Sequence, residues 1–141
     1  MKISKDFQLE EFIPKEIYSK LGKRSIVLLD NRIIHVAQAL REVYGEAFIN
    51  EWMTGGNANW RGWRPWWCPI GAHYSQHKFG RAVDLTFKNK LAKEIREDIR
   101  ENQAYWYNVG IRRVEESTRY LHVDLCETGL HRQVVFFEPE S

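Results

Sequence analysis

Apolar and polar positions follow helical spacing early in this chain and strand-like spacing at its end. From Asp30 to about Tyr44, Ile33, Val36, Ala37, Leu40 and Val43 recur every three to four residues and form one stripe. Asp30 is placed to cap that helix and Gly45 to stop it. A shorter helix is expected from Pro14, a favoured first helical position, to Gly22. Ala47-Phe48-Ile49 reads as a short strand and Arg81–Phe87 as a longer one. The helical pattern returns from Lys90 to about Asn102, with Leu91, Ile95, Asp98 and Ile99 down one side and Lys93–Glu97 at supportive spacing. Three β-like runs follow, Ile111–Glu115, Tyr120–Leu125 and Gln133–Phe137. Helices first and a small antiparallel sheet last predict an α+β fold, not a doubly wound parallel one.

Between these patterns, residues 53–76 show no period and are rich in Gly, Asn, Trp and Pro. Loops of that length in a small domain are usually functional. Five of the six tryptophans, Trp52, Trp60, Trp63, Trp66 and Trp67, fall in or beside it, which argues against disorder.

Composition bounds the rest. A length of 141 residues suits one domain, 1–141, with a single core. Apolar residues at 43% and charged residues at 28% exclude a disordered tail, a collagen-like rod and a disulfide scaffold. A net charge of +2, without a run of like charges, does not imply nucleic acid. Cys68 and Cys126 lie far apart, form no CxxC pair, and leave a disulfide unreadable. The N-terminus MKISKDFQLEEF has no apolar signal region, and no run reaches the length of a membrane span. The expectation is a chain made in the cytoplasm without a signal peptide, not inserted in membrane, and monomeric by default.

The chemistry concentrates in two stretches. The first is Ser75-Gln-His77-Lys-Phe-Gly80-Arg-Ala82-Val-Asp84, the second Tyr120-Leu-His122-Val-Asp124. Gly80 permits a tight reversal that brings His77 and Asp84 together. His122 and Asp124 are two apart on an expected strand and so share a face. Two histidines and one carboxylate leave an open coordination position, the pattern of a catalytic rather than a structural zinc site. Asp124 suits the role of an acid that orients a ligating histidine. From spacing alone, His122 also fits a structural histidine and Asp84 a strand-end cap.

These residues resemble a family. S-x-H-x-x-G-x-A-x-D followed by H-x-D is similar to the zinc D-alanyl-D-alanine carboxypeptidases and L-alanyl-D-glutamate endopeptidases, which include vancomycin-resistance dipeptidases and phage lysins. Ser75, His77, Gly80, Ala82 and Asp84 match the first motif, and His122 and Asp124 the second. Arg61-Gly62-Trp63-Arg64-Pro65 resembles the family's S-G-Y-R segment, and the likeness spans roughly residues 30 to 125. It implies a Hedgehog/DD-peptidase-like fold, a zinc ion on His77, Asp84 and His122, hydrogen-bonding support from Ser75, and substrate contact by Arg64. It also implies peptidoglycan peptide as substrate, with action on the cell wall in host lysis or from a virion. Arg64 has a second reading, as a solvated arginine stacked on a tryptophan. The tryptophan window becomes the expected wall of a peptide cleft, with Trp63 against the substrate.

The general base departs from the pattern. The best-known members carry a Glu three residues before the last His ligand, where this chain has Arg119, which cannot accept a proton at neutral pH. Arg113-Val-Glu115 resembles an R-x-E segment of phage-type relatives. If Glu116–Arg119 is a four-residue hairpin loop, Glu115 pairs with Tyr120, Arg113 pairs with His122, and Glu115 shares the His122 face. A one-residue shift favours Glu116 instead. His73 is a spare-ligand candidate better suited to substrate or surface, His131 a solvated turn residue, and His35 structural. Two readings without catalysis stay open: a zinc-containing wall-binding or virion structural domain, and a single-stranded nucleic-acid binder that stacks bases on the tryptophans.

Overall fold

A computed structural model describes residues 1–139. The helices are α1 (Lys15–Leu21), α2 (Asn31–Tyr44), α3 (Ala92–Glu101) and α4 (Gln103–Val109). The strands are β1 (Ala47–Phe48), β2 (Ala82–Phe87), β3 (Arg113–Glu115), β4 (Leu121–Asp124) and β5 (Val135–Phe137). The strands form one sheet in the order β1-β2-β4-β3-β5. This is the expected α+β class.

The helix ends follow local chemistry. The Asp30 side chain accepts the Arg32 N–H and caps α2, and Gly45 (φ 96°) closes it by donating to the Arg41 carbonyl. Pro14 stands at the cap position of α1, one residue before the helix. The buried stripe of α2 is Ile33, Ile34, Val36, Ala37, Leu40 and Tyr44, whereas Val43, expected inside, is about half exposed. Tyr44 takes its place, stacked on Trp106 with ring centroids 5.7 Å apart. In the second helical stretch Leu91 precedes α3 and is exposed. The inner face is Ala92, Ile95, Arg96 and Ile99. Asn102 (φ −128°, ψ 39°) breaks the helix, and α4 follows at once. Nothing in the hydrophobic pattern announces α4, because Tyr105-Trp106-Tyr107 reads as strand-like by propensity.

Alternation along the strands separates two faces. Val83, Leu85, Val114, Leu121 and Val123 are buried in the core under the helices. Each such aliphatic contributes about 1.5–3 kcal/mol on burial. Asp84, Glu115, His122 and Asp124 point the other way, toward the loop that covers the sheet. The pairings β1–β2, β2–β4 and β3–β4 are antiparallel as expected, but β5 runs parallel to β3. The reason is geometric. β4 is paired on both sides, by β2 and β3, so β5 joins the outer edge of β3, and a strand that runs back against β4 is parallel to β3. Among the described residues no helix is long and apolar enough to cross a membrane.

Asp30 also pairs with Arg32 and Arg81, and the Arg32 hydrogen bond holds its carboxyl down at about 2. Asp30→Ala is expected to lower stability by about 1 kcal/mol at neutral pH. The folded pKa lies below the unfolded value of about 3.9, so the contribution is full above that value. It is lost as pH falls through about 2. Chemical denaturation of both proteins from pH 7 downward checks this, and the difference between them should shrink only at the acid end.

Candidate metal centre

Three pieces of chain converge on the loop-covered face of the sheet. A 3-10 turn, Gln76–Phe79, carries His77, and the Ser75 hydroxyl caps it by accepting the His77 N–H at 3.2 Å. Gly80 ends the turn at φ 69°, where a Cβ would stand 2.1 Å from the Leu28 carbonyl oxygen. Only glycine lets the chain pass from His77 into β2 this tightly. The β2–β4 register then sets Asp84 directly opposite His122.

His77 Nε2 lies 3.2 Å from Asp84 Oδ1 and 3.2 Å from His122 Nδ1, and His122 Nδ1 lies 2.9 Å from Asp84 Oδ1. All three residues are buried, and their ligand atoms lie within 4.8 Å of one another. Donors about 2.0–2.1 Å from a tetrahedral metal stand about 3.3 Å apart. The triangle therefore matches three corners of such a shell, and its donor set suits a metal ion.

Each ligand is held from behind. His77 Nδ1 donates to the Gly62 carbonyl at 2.7 Å, which turns the Nε2 lone pair toward the centre. His122 Nε2 meets Asp124 Oδ2 at 2.9 Å. Asp124 in turn accepts a two-pronged pair from Arg113 at 3.0 and 2.9 Å and the Cys126 N–H at 3.1 Å. The Asp84 N–H donates to the Arg61 carbonyl at 2.8 Å. Arg61 is itself anchored, its N–H donating to Asn50 Oδ1 at 2.9 Å.

These contacts set the charges. Burial holds His77 below its usual pKa, so its ring is neutral. Burial also opposes a charge on His122, but its bonds to Asp124 and Asp84 outweigh that and push it up to about 9. For Asp84 burial works upward, and its histidine partners outweigh it and hold the carboxyl below the usual range.

Glu115 faces the same space, with Oε2 3.7 Å from His122 Nδ1. Burial pushes its carboxyl up from the ordinary value. Glu116 points away and is ion-paired with Arg100. Arg119 is exposed. The hairpin register differs from the expected one by two residues. Arg113 pairs with Asp124 and Val114 with Val123, which puts Glu115 opposite His122. Ser117 at φ 64° widens the connection, and a shift of two preserves the face.

The centre opens into a cavity of about 480 Å³ whose walls include Arg64, Ile70, Tyr74, Tyr120 and Phe137. The expected tryptophan wall is absent. The Trp63 ring packs against the core, and its backbone N–H donates to the Phe12 carbonyl at 2.7 Å. Trp60 packs edge-on to Trp67, and Trp66 stands in solvent. The aromatic rings at the cavity are Tyr74, Tyr120 and Phe137 instead. His35, His73 and His131 are exposed and join no metal group among the described residues, and both cysteines are free thiols. Sequence reasoning did not reach the Gly62 carbonyl or the Arg113–Asp124 pair. The first is a backbone group, and the second needs the true hairpin register.

Against this geometry, the chain matches no protein-family model, no curated protein and no solved structure.

A metal ion needs the Nδ1 lone pair of His122, so it must displace a proton. Binding at pH 7 is expected to release about one proton per ion, since His122 alone among the ligands is protonated there. Affinity should rise about tenfold per pH unit and level off near 9. Calorimetry in buffers of different ionisation enthalpy checks both. Without metal, the charged His122 stabilises the fold fully below about 6.5, and this is lost as pH rises through about 9.

Proposed function

We propose that this chain is a zinc metallopeptidase that hydrolyses amide bonds in the peptide part of bacterial peptidoglycan. The observation that carries the reading is Glu115. A half-buried carboxylate stands beside two imidazoles and a third, carboxylate donor, at the wall of an open cavity. Structural zinc sites are closed by four protein ligands, whereas this group offers three. Bound zinc would lower the pKa of a coordinated water and polarise a substrate carbonyl.

The chain's own residues divide the remaining work. Glu115 is the general base, with its pKa raised toward the working range by burial. It takes the proton of the attacking water and delivers it to the leaving amine. Tyr120 lines the cavity on the His122 face, and its hydroxyl is the donor for the developing oxyanion. Ile70, Tyr74 and Phe137 give the peptide an apolar wall. The motif resemblance supports the wall as substrate, in the manner of a D,D-carboxypeptidase or endopeptidase. It also supports a phage setting, as a lysin or a virion-associated protein.

Purified peptidoglycan incubated with the zinc-loaded protein should release new amino groups. Glu115→Gln should cut the rate by about 10²–10⁴-fold while zinc content stays unchanged. A wild-type protein that holds zinc and adsorbs to wall, yet releases no amine from any preparation, is a binding domain and not a peptidase.

A further inference from the structure

We propose that Arg64 is a positioning residue, which fixes Asp84 as a one-oxygen ligand and leaves the substrate to other groups. The inference rests on the reading of His77, Asp84 and His122 as metal ligands, and not on turnover.

Each of the three guanidinium nitrogens has a partner within the chain. Its Nε donates to the Trp60 carbonyl at 2.6 Å, its Nη2 to Asp84 Oδ2 at 3.2 Å, and its Nη1 reaches the Ile70 carbonyl at 3.5 Å. The side chain is only 7% exposed. A planar fork with its partners set in three directions has little freedom to turn toward an incoming ligand. Its hold on Oδ2 leaves Oδ1 as the atom that meets both imidazoles. Without that hold the carboxylate is free to rotate and offer both oxygens.

The backbone around Arg64 serves the same end. The Arg64 N–H donates to the His77 carbonyl at 3.1 Å. Gly62 supplies the carbonyl behind His77, and Arg61 supplies the one behind the Asp84 N–H. Gly62 runs so close to Phe12 that a Cβ would stand 2.2 Å from the Phe12 carbonyl oxygen. Three residues of one short stretch, Arg61, Gly62 and Arg64, thus grip two ligands from different elements, and Arg64 is the member that reaches a ligand's carboxylate.

Gly71 offers a way to press on the fork without removing it. A Cβ there would stand 2.5 Å from Arg64 Nη1, at an exposed loop position whose φ of 82° adds the same backbone strain in either background. The probe is zinc alone, titrated against a chelator, with circular dichroism as the check on folding. R64A is expected to weaken zinc binding by about 10–100-fold. R64K should recover only part of this, because an ammonium cannot serve all three acceptors. G71A should weaken zinc binding in the wild-type background and add nothing in R64A. In the cobalt-substituted protein, R64A should change the visible absorption, which reports coordination number. The proposal is overturned if folded R64A binds zinc within about twofold of wild type, or if G71A has the same effect in both backgrounds. A loss of wall-peptide binding at unchanged zinc affinity overturns it equally. Should R64A not fold, R64K and G71A decide by the same criteria. A failure of wall hydrolysis in wild type would sink the peptidase reading and leave this one standing.

Discussion

The pairing register of β2 against β4 is the constraint on which the rest of the centre depends. It places Asp84 opposite His122, and the β3 register continues the row to Glu115 and then to Phe137. The neighbouring row, two residues along, runs from Ala82 through Asp124 to Arg113. One row faces the cavity with Asp84, His122 and Glu115, and the next carries the pair that steadies His122. A slip of one residue would turn both rows into the core and bring Val83, Val123 and Val114 out. The aliphatic face is therefore part of the metal site's specification: its burial under α2, α3 and α4 pins the register.

Electrostatics demands a second layer of order. Buried histidines and carboxylates are costly unless each polar atom has a partner. Here Asp84, Asp124 and Glu115 bring three acidic groups, and Arg64, Arg113 and the protonated His122 bring three cations. A metal ion entering the centre replaces a proton in a place where charge is already compensated. That differs from a bare acidic cluster, which would repel itself when empty.

How much of this could be read from the chain varies with the range of the interaction. α2 was legible because cap, stripe and stop are local. The ligands were legible because Gly80 and strand alternation bring His77, Asp84 and His122, Asp124 together over short spans. Glu115 over Glu116 followed from face parity, which survived an error of two residues in register. Legibility failed where the deciding contact is remote. β5 runs parallel because β4 is paired on both sides and the next strand joins β3 instead, and α4 packs through Trp106 stacked on Tyr44. The role of the tryptophans was misread for the same reason. Composition shows that rings are clustered but not which way the chain turns them, and Trp63 packs on the core where Arg64 reaches Asp84.

The four residues Arg61–Arg64 also divide the long loop into two spans of different character. On one side the chain returns to Asn50 and the sheet edge. On the other, the arch from Pro65 to Gln76 overhangs the cavity and ends at His77, carrying Ile70 and Tyr74 on its rim. The arch is tied back to its base by the long contact between Arg64 and the Ile70 carbonyl and by the Lys78 ammonium, which donates to the His73 carbonyl at 2.9 Å. The arch therefore bears on the donor triangle at two places, through the Ile70 carbonyl on Arg64 and through the Ser75 hydroxyl on the His77 turn. The architecture thereby couples the shape of the cavity rim to the order of the three donors, so that a change in one is felt in the other.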